Sequence, residues 1–132
     1  MLSVLEAMSE VEGFGISGAI PTVANNPLDL IYCDEAIHFG ATGNYKGFAQ
    51  FATLDDPHTG GWQAGRRWLS VPAHFDGHGN LVGGYMGATL EQVINRFCPP
   101  TQKGNDTPAY IEAVCQKTGL SPSTILTVSN LG

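Results

Sequence analysis

Glu12 is the residue in this chain best placed to do acid chemistry. It closes the stretch Leu2-Ser3-Val4-Leu5-Glu6-Ala7-Met8-Ser9-Glu10-Val11-Glu12-Gly13-Phe14, in which Val4, Leu5, Met8 and Val11 recur at a helical spacing. On a helix turning about 100° per residue these four form one apolar stripe, with Glu6 and Glu10 on the opposite face. Glu12 follows Met8 by one helical turn and projects from within the stripe. A carboxyl turned toward a core at the last helical turn is costly to ionise. Burial and the negative end of the helix dipole both disfavour its charge. Gly13 supplies the left-handed exit that stops the helix. A held, protonated carboxylic acid at the rim of a fold is what general-acid catalysis requires. An exposed glutamate in a frayed last turn is the inert alternative.

The other reactive residue types form weaker patterns. His38, His58, His74 and His78 include one close pair, in His74-Phe75-Asp76-Gly77-His78. Gly77 and the loop composition keep that pair off a shared helix face, and no cysteine pair joins it, so no metal is expected. Cys33 with one of these histidines would make a peptidase pair. Cys33, however, ends an apolar run and is expected to be buried rather than activated. Cys33, Cys98 and Cys115 are an odd number, compatible with one disulfide plus a thiol or with three thiols.

Composition narrows the function classes. The 132 residues are 42% hydrophobic and 14% charged, which suits one compact domain, residues 1–132, rather than a disordered tail. Seventeen Gly and eight Pro imply many turns and sizeable loops. Net charge is −6 with only six Lys and Arg, so there is no basic face for nucleic acid or for an anionic surface. No apolar run approaches the ~18 residues of a membrane span. The acidic amphipathic start is not a signal peptide. A neutral or polar ligand, held by hydrogen bonds and stacking, remains.

The elements that must position Glu12 follow in order. Gly, Pro and Asn make residues 14–27 an irregular loop. Residues 28–33 (LDLIYC) read as a strand, 34–44 as loop, and 45–53 (YKGFAQFAT) as a second strand with Phe48 and Gln50 on one face and Ala49 and Phe51 on the other. A helix carrying Trp62, Gly65, Trp68 and Leu69 ends before Pro72. Residues 73–88 are a Gly-rich connection. Thr89 with Gln92 is a capping box opening a helix with Leu90, Val93, Ile94 and Phe97 inward. Thr107 is expected to cap the next helix, with Pro108 at its first position, Ile111, Val114 and Cys115 inward, and Gly119 at its end. Ser121-Pro122 begins a final turn. The fold class is α+β: one helix, a small β region, then helices.

Four stretches, in this order, resemble the lysozyme-like superfamily, which includes phage-type lysozymes and lytic transglycosylases. Glu12-Gly13-Phe14 looks like the helix end bearing that family's catalytic acid. Asn25-Asn26-Pro27-Leu28-Asp29-Leu30 looks like its Asn-Asn-Pro-Gly-Asn/Asp-Leu loop, with Leu28 in place of Gly. Gly47-Phe48-Ala49-Gln50 is similar to the Gly-Leu-Met-Gln stretch of lytic transglycosylases, with Phe48 and Ala49 departing from it. Thr107-Pro108-Ala109-Tyr110-Ile111-Glu112-Ala113-Val114 resembles their late Thr-x-x-Tyr-Val-x-x-Val helix. Asn95 loosely matches the family's substrate-binding Asn before Gly-Pro.

The resemblance implies a lysozyme-like fold and cleavage of the MurNAc-β-1,4-GlcNAc bond of peptidoglycan, or of a chitin-like oligosaccharide. It implies no cofactor, a monomer, and a secreted, periplasmic or virion-associated setting. Cleaving a glycosidic bond needs a proton delivered to the leaving oxygen as oxocarbenium-like charge develops, and Glu12 would deliver it. Phe48, Tyr45 and Tyr110 would stack on sugars; Gln50, Asn25 and Asn26 would grip hydroxyls and N-acetyl groups. A hydrolysing lysozyme normally needs a second carboxylate, for which Asp29 and Glu35 are the candidates. A lytic transglycosylase needs none. The same Glu then acts as base and the sugar's own hydroxyl closes an anhydro ring. A non-catalytic glycan-binding or virion structural domain is the alternative.

Overall fold

The computed structural model describes residues 1–132. Its elements are helices α1 (Val4–Glu12), α2 (Ile20–Val23) and α3 (Asp34–His38), strands β1 (Gly43–Tyr45) and β2 (Phe48–Gln50), helix α4 (Gly61–Ser70), strands β3 (His74–Phe75) and β4 (Leu81–Gly83), and helices α5 (Leu90–Phe97), α6 (Thr107–Thr118) and α7 (Val128–Leu131). The chain is α+β, with two small antiparallel sheets, β1–β2 and β3–β4. Residues 8–68 make one compact unit, and residues 1–7 with 69–132 make another. No helix is long and apolar enough to cross a membrane.

α1 forms where its apolar spacing places it. Val4, Leu5 and Met8 are buried, and Glu6 and Glu10 are exposed. Its start carries a signal the periodicity does not show. The Glu6 N–H donates to Ser3 Oγ at 3.2 Å and the Ser3 N–H donates to Glu6 Oε1 at 3.2 Å, a reciprocal cap.

In the unit of residues 8–68, Met8, Leu28, Leu30, Ala49 and Phe51 are core. The strand expected over 28–33 does not form. Only Ile31 bridges Phe48, while Ala49 N–H donates to the Leu30 carbonyl and Tyr32 N–H to that of Gly47. Asp29 is left-handed at φ 55°, which breaks extended backbone before it can lengthen. Beyond it, Asp34 and Glu35 fill the first turn of α3, where acidic residues favour a helix start, so the expected 34–44 loop is half helix. The loop expected over 14–27 likewise contains α2, with Pro21 in its first turn. The second expected strand is a hairpin: β1 and β2 pair Tyr45 with Phe48 across Lys46 and Gly47, both at positive φ, as a tight two-residue turn requires. Ala49 and Phe51 are buried and Phe48 and Gln50 half-buried, in line with the expected alternation. Asp56 Oδ1 accepts the His58 and Thr59 N–H groups ahead of α4, and these bonds hold its carboxyl below the ordinary range.

In the other unit, Thr89 and Gln92 cap α5 reciprocally, and Leu90, Val93 and Ile94 are buried. α6 is capped one residue earlier than expected: Asp106 Oδ1 accepts the Ala109 N–H at 3.2 Å. Thr107 is instead buried, and its hydroxyl donates to the Cys98 carbonyl at 2.6 Å. The buried face of α6 is Thr107, Tyr110, Val114 and Thr118, so Ile111 and Cys115 lie half-buried on the neighbouring face. Gly119 ends the helix left-handed at φ 73°. Residues 73–88 contain β3, exposed at both positions, and β4, exposed only at Val82; strands of two and three residues are too short for a sequence alternation to mark them. The three cysteines are half-buried thiols.

Candidate active site

The chain leaves Glu12 through a fixed exit. The Gly13 N–H donates to the Glu10 carbonyl at 3.1 Å and the Phe14 N–H to the Ser9 carbonyl at 3.0 Å. With Gly13 at φ 94°, this pair of bonds is a Schellman cap. It satisfies two carbonyls of the last turn and leaves Glu12 on ordered rather than frayed backbone. Glu12 is half-buried.

A series of contacts within the same unit runs from this exit to the loop at 25–30. The Phe14 ring meets Trp62 edge-to-face, with centroids 5.2 Å apart. Trp62 sits in the first turn of α4, directly after Gly61. Gly61 lies so close to Asn25 that a Cβ on it would overlap the Asn25 carbonyl oxygen. Asn25 is left-handed at φ 52°, and its Nδ2 donates to the Phe51 carbonyl at 3.1 Å. Asparagine and aspartate tolerate this conformation better than other side-chain-bearing residues. The loop uses that tolerance twice, at Asn25 and at Asp29.

Asn26 is fully buried. Its Nδ2 donates to the carbonyls of Leu30 at 2.9 Å and Ala49 at 2.8 Å, and its Oδ1 accepts the Leu30 N–H at 2.9 Å. The amide therefore ties the loop to β2. It has no exposed surface with which to grip a sugar, contrary to the ligand-binding role expected of it. The Asp29 N–H donates to the Asn26 carbonyl at 3.0 Å, closing a turn with Pro27 at its second position. Leu28, which stands where the resemblance has Gly, is buried and needs no left-handed backbone; that demand falls on Asp29 instead.

The two candidate second carboxylates differ in setting. Asp29 is half-buried, its Oδ1 is shut from water and meets no donor, and burial pushes its carboxyl up to about 6. Glu35 is exposed in the first turn of α3. Phe48 and Gln50 are half-buried on one face of β2, and the Gln50 side chain lies across Gly43 of β1. Tyr45 is half-buried, with Lys46 Nζ 5.4 Å from its ring centroid. Glu12, Asn25, Asn26, Asp29, Glu35, Phe48 and Gln50 thus all belong to one unit.

Tyr110 and Asn95 belong to the other unit. Tyr110 is buried at 7% exposure, which leaves little ring face for stacking, so it serves the core of α6. Asn95 is half-buried on α5, with Nδ2 donating to the Glu91 carbonyl one turn back at 2.9 Å, and it lines a hollow between α5 and α6. That hollow is hidden from an expectation that puts Ile111 and Cys115 in the core, where the structure leaves both half-buried. The 107–110–114–118 spacing was the signal that would have turned those two outward. Compared with protein-family models, with curated proteins and with solved structures, the chain matches none.

Proposed function

We propose that this chain cleaves the glycan strands of peptidoglycan at the MurNAc-β-1,4-GlcNAc bond, with Glu12 as the general acid. The observation that carries the reading is the fixed, half-buried exit at Glu12 and its linkage, through Phe14, Trp62, Gly61 and Asn25, to the strand bearing Phe48 and Gln50. An acid catalyst must be held within a fraction of an ångström of the leaving oxygen, and capped backbone supports that demand better than a frayed turn. Glu12 gives its proton to the leaving oxygen as the bond from that oxygen to the anomeric carbon breaks. Gln50 and Asn25 supply amide groups for the sugar, and Phe48 an apolar face.

The setting of the two candidate second carboxylates favours the anhydro-forming route over hydrolysis. Glu35 is exposed at the start of α3, and the buried Oδ1 of Asp29 meets no donor, so neither carboxylate is held by hydrogen bonds in the way a nucleophile or stabilising anion requires. In that route Glu12, now ionised, takes the proton from a hydroxyl of the cleaved sugar as its oxygen bonds to the anomeric carbon. On this reading the protein meets its substrate outside the cytoplasm, as a secreted, periplasmic or virion-associated enzyme.

A non-catalytic glycan-binding or virion structural role is the second reading, and the commitment of Asn26 and Tyr110 to packing favours its structural form. The test is Glu12→Gln assayed for muropeptide release from purified cell walls. A folded variant that releases nothing, against an active parent whose products carry anhydro ends by mass spectrometry, supports the proposal. An inactive parent, or an equally active variant, removes it.

A further inference from the structure

Residues 80–122 carry a hollow that glycan cleavage leaves unused. Between α5 and α6 it is an open groove of about 710 Å³. Its apolar lining is Ile111 and Cys115, half-buried, with the exposed Pro100, Pro108 and Pro122. Its polar lining is the half-buried Asn95 and the exposed Glu91, Glu112 and Gln116. Asn95 Nδ2 is already committed to the Glu91 carbonyl at 2.9 Å, and Gln116 Nε2 lies 3.4 Å from Glu112 Oε1. Each of these amides keeps one N–H and its oxygen free, the charged groups of the lining are the two carboxylates, and no lysine or arginine lines the space.

The hollow does not stop at α5. A second one of about 510 Å³ shares Glu91 and Asn95 as its wall and continues to Asn80 and Leu81. Arg96 borders that second part, but its guanidinium is directed over the Tyr85 ring, 5.4 Å from the centroid. Two carboxylates beside an apolar lining, with no lysine or arginine lining the space, select an occupant that brings positive charge and apolar bulk. Two hollows sharing a wall select an elongated one.

We propose that the α5–α6 groove binds a basic, apolar peptide segment of a partner polypeptide, whose apolar side chains cover Ile111 and the prolines while its basic side chains meet Glu91 and Glu112. This binding does not rest on the role of Glu12. Uncharged peptides lack the positive charge that meets Glu91 and Glu112, and purely basic ones leave Ile111 and the prolines wet.

The experiment titrates the whole chain calorimetrically with a synthetic peptide alternating leucine and lysine. Glutamate-for-lysine and serine-for-leucine peptides are the controls. Binding by the first peptide and by neither control is expected. Glu91→Gln with Glu112→Gln should weaken it about tenfold, whereas Asp34→Asn with Asp55→Asn, which removes two surface charges elsewhere, should not. Peptide should also slow alkylation of Cys115, followed by mass spectrometry, while leaving Cys33 unaffected. Absence of binding, equal weakening by both charge pairs, equal binding of the serine control, or an unprotected Cys115 would each overturn the proposal.

Discussion

Asn26 and Leu30 are joined by a reciprocal pair of hydrogen bonds: the Asn26 Nδ2 donates to the Leu30 carbonyl at 2.9 Å, and its Oδ1 accepts the Leu30 N–H at 2.9 Å. A third bond from the same amide reaches the Ala49 carbonyl at 2.8 Å. Asn26→Ala would strand two buried backbone groups, the Leu30 N–H and the Ala49 carbonyl, while the Leu30 carbonyl keeps the Ala49 N–H at 2.8 Å. The expected loss is roughly 3 kcal/mol of stability, read as a lower urea midpoint. Asn26→Asp should cost a similar amount, because a carboxylate cannot donate to either carbonyl. A side chain that only gripped substrate would leave the midpoint unchanged, and that result would refute the structural assignment.

Phe14 and Trp62 carry the next prediction. Edge-to-face pairs contribute about 0.5–1.5 kcal/mol beyond the area they bury, so Phe14→Ala should cost about 1–2 kcal/mol. In a Trp68→Phe background, which leaves Trp62 as the reporter, emission should move to longer wavelength as the ring gains water. If Glu12 is the acid, loosening the turn behind it should lower kcat more than it raises KM. Unchanged emission would mean that the two rings do not shield one another.

Asp29 gives a pH dependence. Its carboxyl is raised by burial from 3.8 to about 6 in the folded chain. Below about pH 4 it is protonated in both folded and unfolded chains and costs nothing. Between about pH 4 and 6 the unfolded chain has lost the proton and the folded chain still holds it, so stability falls as pH rises; above about pH 6 the full cost remains. The side chain is only half-buried, and solvent screening reduces that cost to about 1–2 kcal/mol. Asp29→Asn keeps a residue that tolerates φ 55° and cannot ionise. It should be about 1 kcal/mol more stable than the parent near pH 7.5 and equal to it near pH 4, by urea unfolding at both. A less stable variant near pH 7.5 would mean that the carboxylate has a partner worth keeping.

The sequence reading succeeded where one local signal decided the structure. The stripe of α1, the glycine exits at Gly13 and Gly119, and the Thr89–Gln92 cap each depend on residues a few positions apart. It failed where two signals competed. Residues 28–33 have strand-forming side chains, but the left-handed Asp29 and the acidic start of α3 confine them to a single bridge. Thr107 and Asp106 are both good caps, and Thr107 is drawn inward by its bond to the Cys98 carbonyl. Asn26 carries the same lesson for the site. An asparagine in a loop reads as a hand for a ligand, and only the bonds to Leu30 and Ala49, the latter far along the chain, show that the hand is already full.

Gly61 is the residue on which the 25–30 loop and α4 meet. A Cβ there would overlap the Asn25 carbonyl oxygen and crowd Pro27 Cδ, neither of which belongs to a flexible side chain that could swing aside. Gly61→Ala must therefore move backbone, and should cost about 3 kcal/mol. The displaced element is the one that carries Asn25, so if the chain cleaves glycan strands as proposed, the variant should lose muropeptide release in step with its loss of stability. Gly77→Ala is the control: a Cβ at Gly77 meets nothing within 4 Å, and its backbone is not left-handed, so the urea midpoint should stay within about 0.5 kcal/mol of the parent. Equal midpoints for the Gly61 and Gly77 variants would show that α4 does not press on the loop, and would break the linkage from Trp62 to Asn25 on which the proposed role of Glu12 depends.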